Sequence, residues 1–179
     1  MEFQESSFKE SNPMLKPRID KVVVNISVGA SGEPLERAKA ILNQLTGAKP
    51  CERVAKKTIR EFGIRKGEPI ACIVTLRRQK AMDFLKRALE AVGNRLSSSS
   101  FDDFGNVSFG IKSHLDFQGV RYDPRLGTVG MDVCVSVARP GYRVARRRIA
   151  SRIGARQMVT KDEAIRFLKE NFGIEVTEE

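Results

Sequence analysis

Four segments of this chain alternate apolar and polar residues with period two, and that pattern limits the fold more than any other feature. In Lys21–Val28 the apolar side is Val22, Val24, Ile26 and Val28, and the other side is Lys21, Val23, Asn25 and Ser27. In Ile70–Arg77 the sides are Ile70, Cys72, Val74 and Leu76 against Ala71, Ile73, Thr75 and Arg77. Val107, Phe109 and Ile111 alternate with Ser108, Gly110 and Lys112. Met131, Val133, Val135 and Val137 alternate with Asp132, Cys134, Ser136 and Ala138. A strand buried on both faces reads instead as a continuous apolar run. The expected fold is therefore α+β: an antiparallel sheet with helices packed on one face and the other face open.

The helices are placed by period and by punctuation. Pro34 suits a first helical turn, and Leu35, Ala38, Ile41, Leu42 and Leu45 follow at helical spacing up to Gly47. Ala81–Val92 carries Phe84, Leu85, Ala88, Leu89 and Val92 on one side. Thr160 and Glu163 form a capping-box pattern ahead of Ala164, Ile165, Phe167 and Leu168. Pro140–Arg152 is expected to be helical, with Val144, Ile149 and Ile153 as anchors. Pro50–Val54 reads as a short strand, and 55–68, 95–106 and 118–130 read as loops. The 179 residues fit a single domain, with a flexible lead-in over 1–12, a long basic loop over 55–68 and a C-terminal helical extension over 157–179.

Charge narrows the class of partner. The net charge is +10. Residues 49–80 hold ten bases against three acids, and residues 139–156 hold seven arginines and no acid. The remainder is near neutral, and the last stretch is acidic. Two concentrated patches point to contact surfaces for a polyanion rather than to a solubility effect. The free face adds Asn25, Ser27, Thr75, Arg77 and Ser136, whose groups suit phosphate, sugar hydroxyls and base edges. With no Trp and 7% aromatics, base stacking is not the main mode of binding.

Catalytic signatures are absent. Gly29–Glu33 lacks a Walker lysine, and no dinucleotide-binding glycine motif follows a strand. Asp102–Asp103 reads as turn chemistry, and His114 has no nucleophile context. Cys51, Cys72, Cys134 and His114 are scattered, so neither a metal site nor a disulfide framework is expected, and no cofactor. The start lacks the apolar core of a signal peptide, and no apolar run approaches ~18 residues. An intracellular, soluble binder is the expectation. A basic membrane-surface protein using 139–156 is the alternative, but its apolar face of Val144, Ile149 and Ile153 is thin.

Several strings, taken in order, resemble a known family. They are Asn12-Pro13-Met14, Val24–Gly32, Leu45-Thr46-Gly47 followed by Lys49-Pro50, Ala55-Lys56-Lys57, Phe62–Arg65, Val74–Arg77, Phe109–Ile111, Tyr122-Asp123-Pro124, Gly130–Asp132 and Arg139-Pro140-Gly141. The set resembles the large-subunit ribosomal protein L5 family, which binds 5S rRNA. Arg139-Pro140-Gly141 and the final helix resemble its archaeal and eukaryotic branch, called L-eleven in eukaryotes.

The resemblance implies a cytoplasmic, ribosome-associated structural protein, a monomer within the large subunit, placed in the central protuberance. It implies 5S rRNA binding by Asn25, Ser27, Gly29, Lys49, Arg53, Thr75 and Arg77. It implies contact with P-site tRNA through Lys56, Lys57, Thr58, Arg60, Arg65 and Lys66. Arg143, Arg146, Arg147, Arg148 and Arg152 are assigned to 23S rRNA. Neighbouring ribosomal proteins, including a bridge to a small-subunit protein, complete the expected partners, with no membrane among them.

Overall fold

The computed structural model describes residues 12–177. The expected lead-in over 1–12 therefore lies outside the described residues except for Asn12.

Seven strands and three α-helices follow one another in the described chain: β1 (Arg18–Ser27), α1 (Glu33–Thr46), β2 (Cys51–Val54), β3 (Pro69–Leu76), α2 (Arg78–Ala91), β4 (Arg95–Ser97), β5 (Asn106–Ile111), β6 (Met131–Ala138), α3 (Lys161–Phe172) and β7 (Glu175–Thr177). Five strands make one sheet in the order β2-β3-β1-β6-β5, antiparallel throughout. The alternation seen in sequence is what the sheet uses. Val22, Val24, Ile26, Cys72, Val74, Leu76, Val133 and Val135 are all buried on the core side. The helices α1 and α2 supply Leu35, Ala38, Ile41, Leu42 and Leu45, and Ala81, Phe84, Leu85, Ala88 and Leu89, to the same core. Among the described residues no helix covers the opposite face, and Ser27, Thr75, Cys134 and Ser108 are exposed there.

Local signals act as expected at the helix ends. Gly47 takes the left-handed conformation and donates its N–H to the Asn43 carbonyl at 2.8 Å. Thr160 and Glu163 form the reciprocal capping box on α3. Gly105 is required twice over: its φ is +78°, and a Cβ there would stand 2.8 Å from a Val159 methyl.

Three expectations are corrected. Residues 95–106 are not only loop: Arg95–Ser97 pairs in parallel with Glu175–Thr177 as a second, two-stranded sheet. The C-terminal extension is thus a helix followed by a strand, with Ala164, Leu168 and Ile174 in the common core. Pro140–Arg152 contains no α-helix, only a short 3₁₀ turn at Tyr142–Ala145. Its apolar anchors are too few to dock a helix, and Ile149 is 81% exposed.

What holds that segment instead is Arg139, which is 7% exposed. Its guanidinium donates to the carbonyls of Leu15 (2.7 Å), Arg156 (3.0 Å) and Met158 (3.2 Å), and to Glu163 Oε1 (2.7 Å). Tyr142 adds to the same knot, donating to the Gln157 carbonyl and accepting the Val159 N–H at 2.8 Å.

Candidate nucleic-acid interface

The register of the sheet writes out its open face. One row crosses all five strands: Cys51, Ile73, Asn25, Asp132, Gly110. The next row toward the start of β3 holds Arg53, Ala71 and Ser27. On the other side lie Thr75, Val23, Cys134 and Ser108, then Lys21, Ser136 and Asn106. The middle of this face is uncharged apart from Asp132, and the cations stand at its margins. Among the described residues Asp132 makes no salt bridge.

Asn25 and Asp132 act together. The Asn25 side-chain N–H₂ donates to Ser27 Oγ at 3.0 Å and to Asp132 Oδ2 at 3.4 Å. Both open into a groove of about 830 Å³ whose walls include Arg37, Gly110, Lys112 and Thr128. Gly110 was expected on this face as a small residue, whereas Asp132 and the 126–130 segment were not expected in the site. The motif Gly130-Met131-Asp132 was visible in sequence, but its place beside Asn25 depends on a pairing of residues 107 positions apart.

The other predicted residues divide by location. Ser27 and Gly29 continue the Asn25 strand, and Arg53 and Thr75 lie on the open face. Lys49 lines a recess with Glu36, Lys39 and Asn43 of α1, away from the Asn25 row. Arg77 is not a free cation on the face. A bulge between Ile19 and Lys21 turns Asp20 toward it, and Asp20 accepts from Arg77 (3.3 Å) and Arg146 (3.0 Å).

The basic segment 55–68 is more ordered than a loop without periodicity suggests. It extends the β2–β3 pair as a hairpin, with Ala55 N–H to Glu68 O at 2.8 Å and Ile59 and Ile64 bonded to each other. Lys66 N–H donates to Thr58 Oγ1. Glu68 fastens the base: it accepts from Ser31 Oγ at 2.6 Å and from the Arg65 N–H at 3.0 Å. Those two bonds hold its carboxyl below its ordinary pKa. Lys56, Lys57, Thr58, Arg60, Arg65 and Lys66 are all exposed. Phe62, at 72% exposure, is the apolar group at the tip that sequence reasoning missed.

Arg143, Arg146, Arg147, Arg148 and Arg152 are likewise exposed. Arg147 donates to the Ile149 carbonyl, and Arg148 and Arg152 make no side-chain hydrogen bond among the described residues. Because the segment forms no α-helix, it lacks the continuous apolar face by which a helix lies on a membrane. No helix among the described residues is long and apolar enough to cross one. By register, the hairpin lies at the Ser27 end of β1 and the arginine segment at the Arg18 end, so the two basic patches flank opposite ends of the open face.

The remaining titratable groups are structural. His114 is buried, and its Nδ1 accepts the Val129 N–H at 3.4 Å. Burial pushes the Cys72 thiol up to about 11, and burial together with Asp132 raises that of Cys134. Among the described residues no three His, Cys, Asp or Glu groups gather as metal ligands.

A half-covered sheet flanked by two exposed basic segments is the arrangement expected of an α+β protein that meets a polyanion. The family model for ribosomal protein L5 matches residues 12–65, and the model for the C-terminus of the same ribosomal protein family matches residues 69–175. Over 168 residues the chain is 58% identical to large ribosomal subunit protein uL5 of Pyrobaculum aerophilum, covering 93% of this chain and 94% of that one. It is 55% identical to the uL5 of Aeropyrum pernix, covering 91% and 86%, and 51% identical to that of Sulfolobus acidocaldarius, covering 99% of each. The chain belongs to the ribosomal protein L5 family. It is accordingly a structural, ribosome-associated protein of the cytoplasm and not an enzyme.

Proposed function

We propose that this chain is a structural constituent of the large ribosomal subunit that holds 5S rRNA on its open sheet face and helps attach it in the central protuberance. The observation that carries this reading is the five-stranded sheet covered on one side only, with basic segments at both ends of the bare side. The relatives named large ribosomal subunit protein uL5 support the assembly it joins.

In this reading Asn25, Ser27, Gly29, Arg53 and Thr75 meet the RNA, with Lys49 and Arg77 at the margin. The hairpin carrying Lys56, Lys57, Thr58, Arg60, Arg65 and Lys66 reaches P-site tRNA. Its ladder stiffens a projection that would otherwise lose entropy on binding. The exposed arginines Arg143, Arg147, Arg148 and Arg152 contact 23S rRNA, with Arg146 shared between RNA and Asp20. The protein acts as a monomer beside other ribosomal proteins, one of them a bridge to the small subunit.

A gel-shift with purified 5S rRNA tests the central claim. Selective binding over a random RNA of equal length should persist at ~0.2 M salt, where contacts to phosphate alone weaken steeply. Equal retention of both RNAs would refute it.

A further inference from the structure

We propose that Asp132 makes the middle of the open face an acceptor site, which reads the donor side of a double-helical RNA (its 2′-hydroxyls and guanine amino groups) and not its phosphates. This rests on the reading that the face holds 5S rRNA.

Asp132 sits in the central row, exposed, between Asn25 on β1 and Gly110 on β5. The side-chain N–H₂ of Asn25 is already engaged on the open face, donating to Ser27 Oγ and to Asp132 Oδ2. The free end of that amide is therefore its carbonyl oxygen, an acceptor. The carboxylate beside it is acceptor only. A phosphate set down there would meet a negative charge, whereas a hydroxyl or amino donor would be bound by it. The cations that could take phosphates, Lys112 and Arg37 (the latter paired with Glu33), line the same groove. Gly110 leaves the approach open, since even a Cβ there would come no nearer than 3.9 Å to Asp132. The shallow minor groove of an A-form helix displays 2′-hydroxyls along its whole length, and guanine adds an amino group there. That surface matches acceptors in the centre and cations at the rim. Asp132 is thus a specificity residue, and for Asn25 a positioning residue.

The test compares the full-length protein and Asp132→Asn on a panel of 5S rRNAs. Each RNA carries one guanosine-to-inosine or one 2′-deoxy change at a paired position that the protein protects. Circular dichroism confirms that the variant, altered at an exposed side chain, keeps its fold. At one or more positions the wild type should lose about tenfold in affinity, while Asp132→Asn loses less than about twofold there. The salt slope should be the same for both proteins, because no phosphate contact changes. Equal losses in both proteins, or tighter binding of all RNAs by the variant, would overturn the proposal and leave 5S binding intact. Failure of the wild type to prefer 5S rRNA would remove both readings together.

Discussion

Truncating Arg139 to alanine removes one side chain from four partners at once. Three are backbone carbonyls and the fourth is Glu163, which also caps α3. Breaking a buried ion pair costs about 3–5 kcal/mol. Glu163 keeps 32% of its side chain exposed and regains water, so the lower end applies, about 3 kcal/mol. For a chain of this size each kcal/mol lowers Tm by ~2–4 °C, giving a fall of ~6–12 °C. Thermal unfolding followed by circular dichroism measures it. Arg139→Lys keeps the charge but not the planar fork, and should fall between the two. A Tm for Arg139→Ala within ~2 °C of wild type would refute the reasoning. RNA binding gives a second readout. Arg139 belongs to the arginine-rich stretch by sequence, yet its charge is spent inside the protein. Below the transition, its loss should leave the slope of log affinity against log salt unchanged. On a 23S rRNA fragment, neutralising Arg148 and Arg152, which the proposed function assigns to that RNA, should flatten the slope by ~0.7–0.9 for each that meets a phosphate.

Asn25→Ala should weaken 5S binding about tenfold, as a base-contact loss does, with an unchanged far-ultraviolet spectrum; wild-type affinity would take Asn25 out of the site. Neutralising Lys56, Lys57 and Arg60 together should spare 5S affinity but weaken P-site tRNA retention on reassembled ribosomes, and unchanged retention would count against the hairpin's role. Glu68 has a depressed pKa when folded, so its fastening of the hairpin is complete above the ordinary carboxylate value near 4.5 and is lost as pH falls through the folded value. Ser31→Ala should raise the Glu68 pKa in a carbon-13 titration, and no rise would show that the bond is not made in solution. Native-state thiol labelling at pH 8 should modify Cys51 and Cys134 and spare Cys72; bound 5S rRNA should protect the first two, and unprotected labelling would place the RNA elsewhere.

The parts of this molecule that were legible in sequence are those set by short-range periodicity. Val22, Val24 and Ile26 alternate because a pleated strand must, and Leu35 to Leu45 repeat because a docked helix must. The one-sided sheet followed from these strands together. What stayed hidden depends on partners far along the chain. Asp20 lay just before the expected strand and carried no signal, and its contacts with Arg77 and Arg146 depend on the bulge in β1. Arg139 looked like one more basic residue, although burial makes it structural. The helix expected at Pro140–Arg152 rested on Val144, Ile149 and Ile153 as anchors, which do not form a buried face. Asp132 was legible as a polar-face strand residue, but its role was not, because that comes from pairing opposite Asn25.

The small parallel ladder has a consequence for synthesis. Leu96 is almost fully buried, and so is Ile174, which leads into the strand that pairs beside it. A growing chain emerges from its amino end, so Arg95–Ser97 is made long before Glu175–Thr177 exists to pair with it. Until Glu175–Thr177 arrives, Arg95–Ser97 lacks its pairing partner and presents an unpaired edge. The finished protein is thus expected to lock in one late step, and nascent chains arrested before residue 174 should be the forms that need a chaperone or a binding partner to stay in solution.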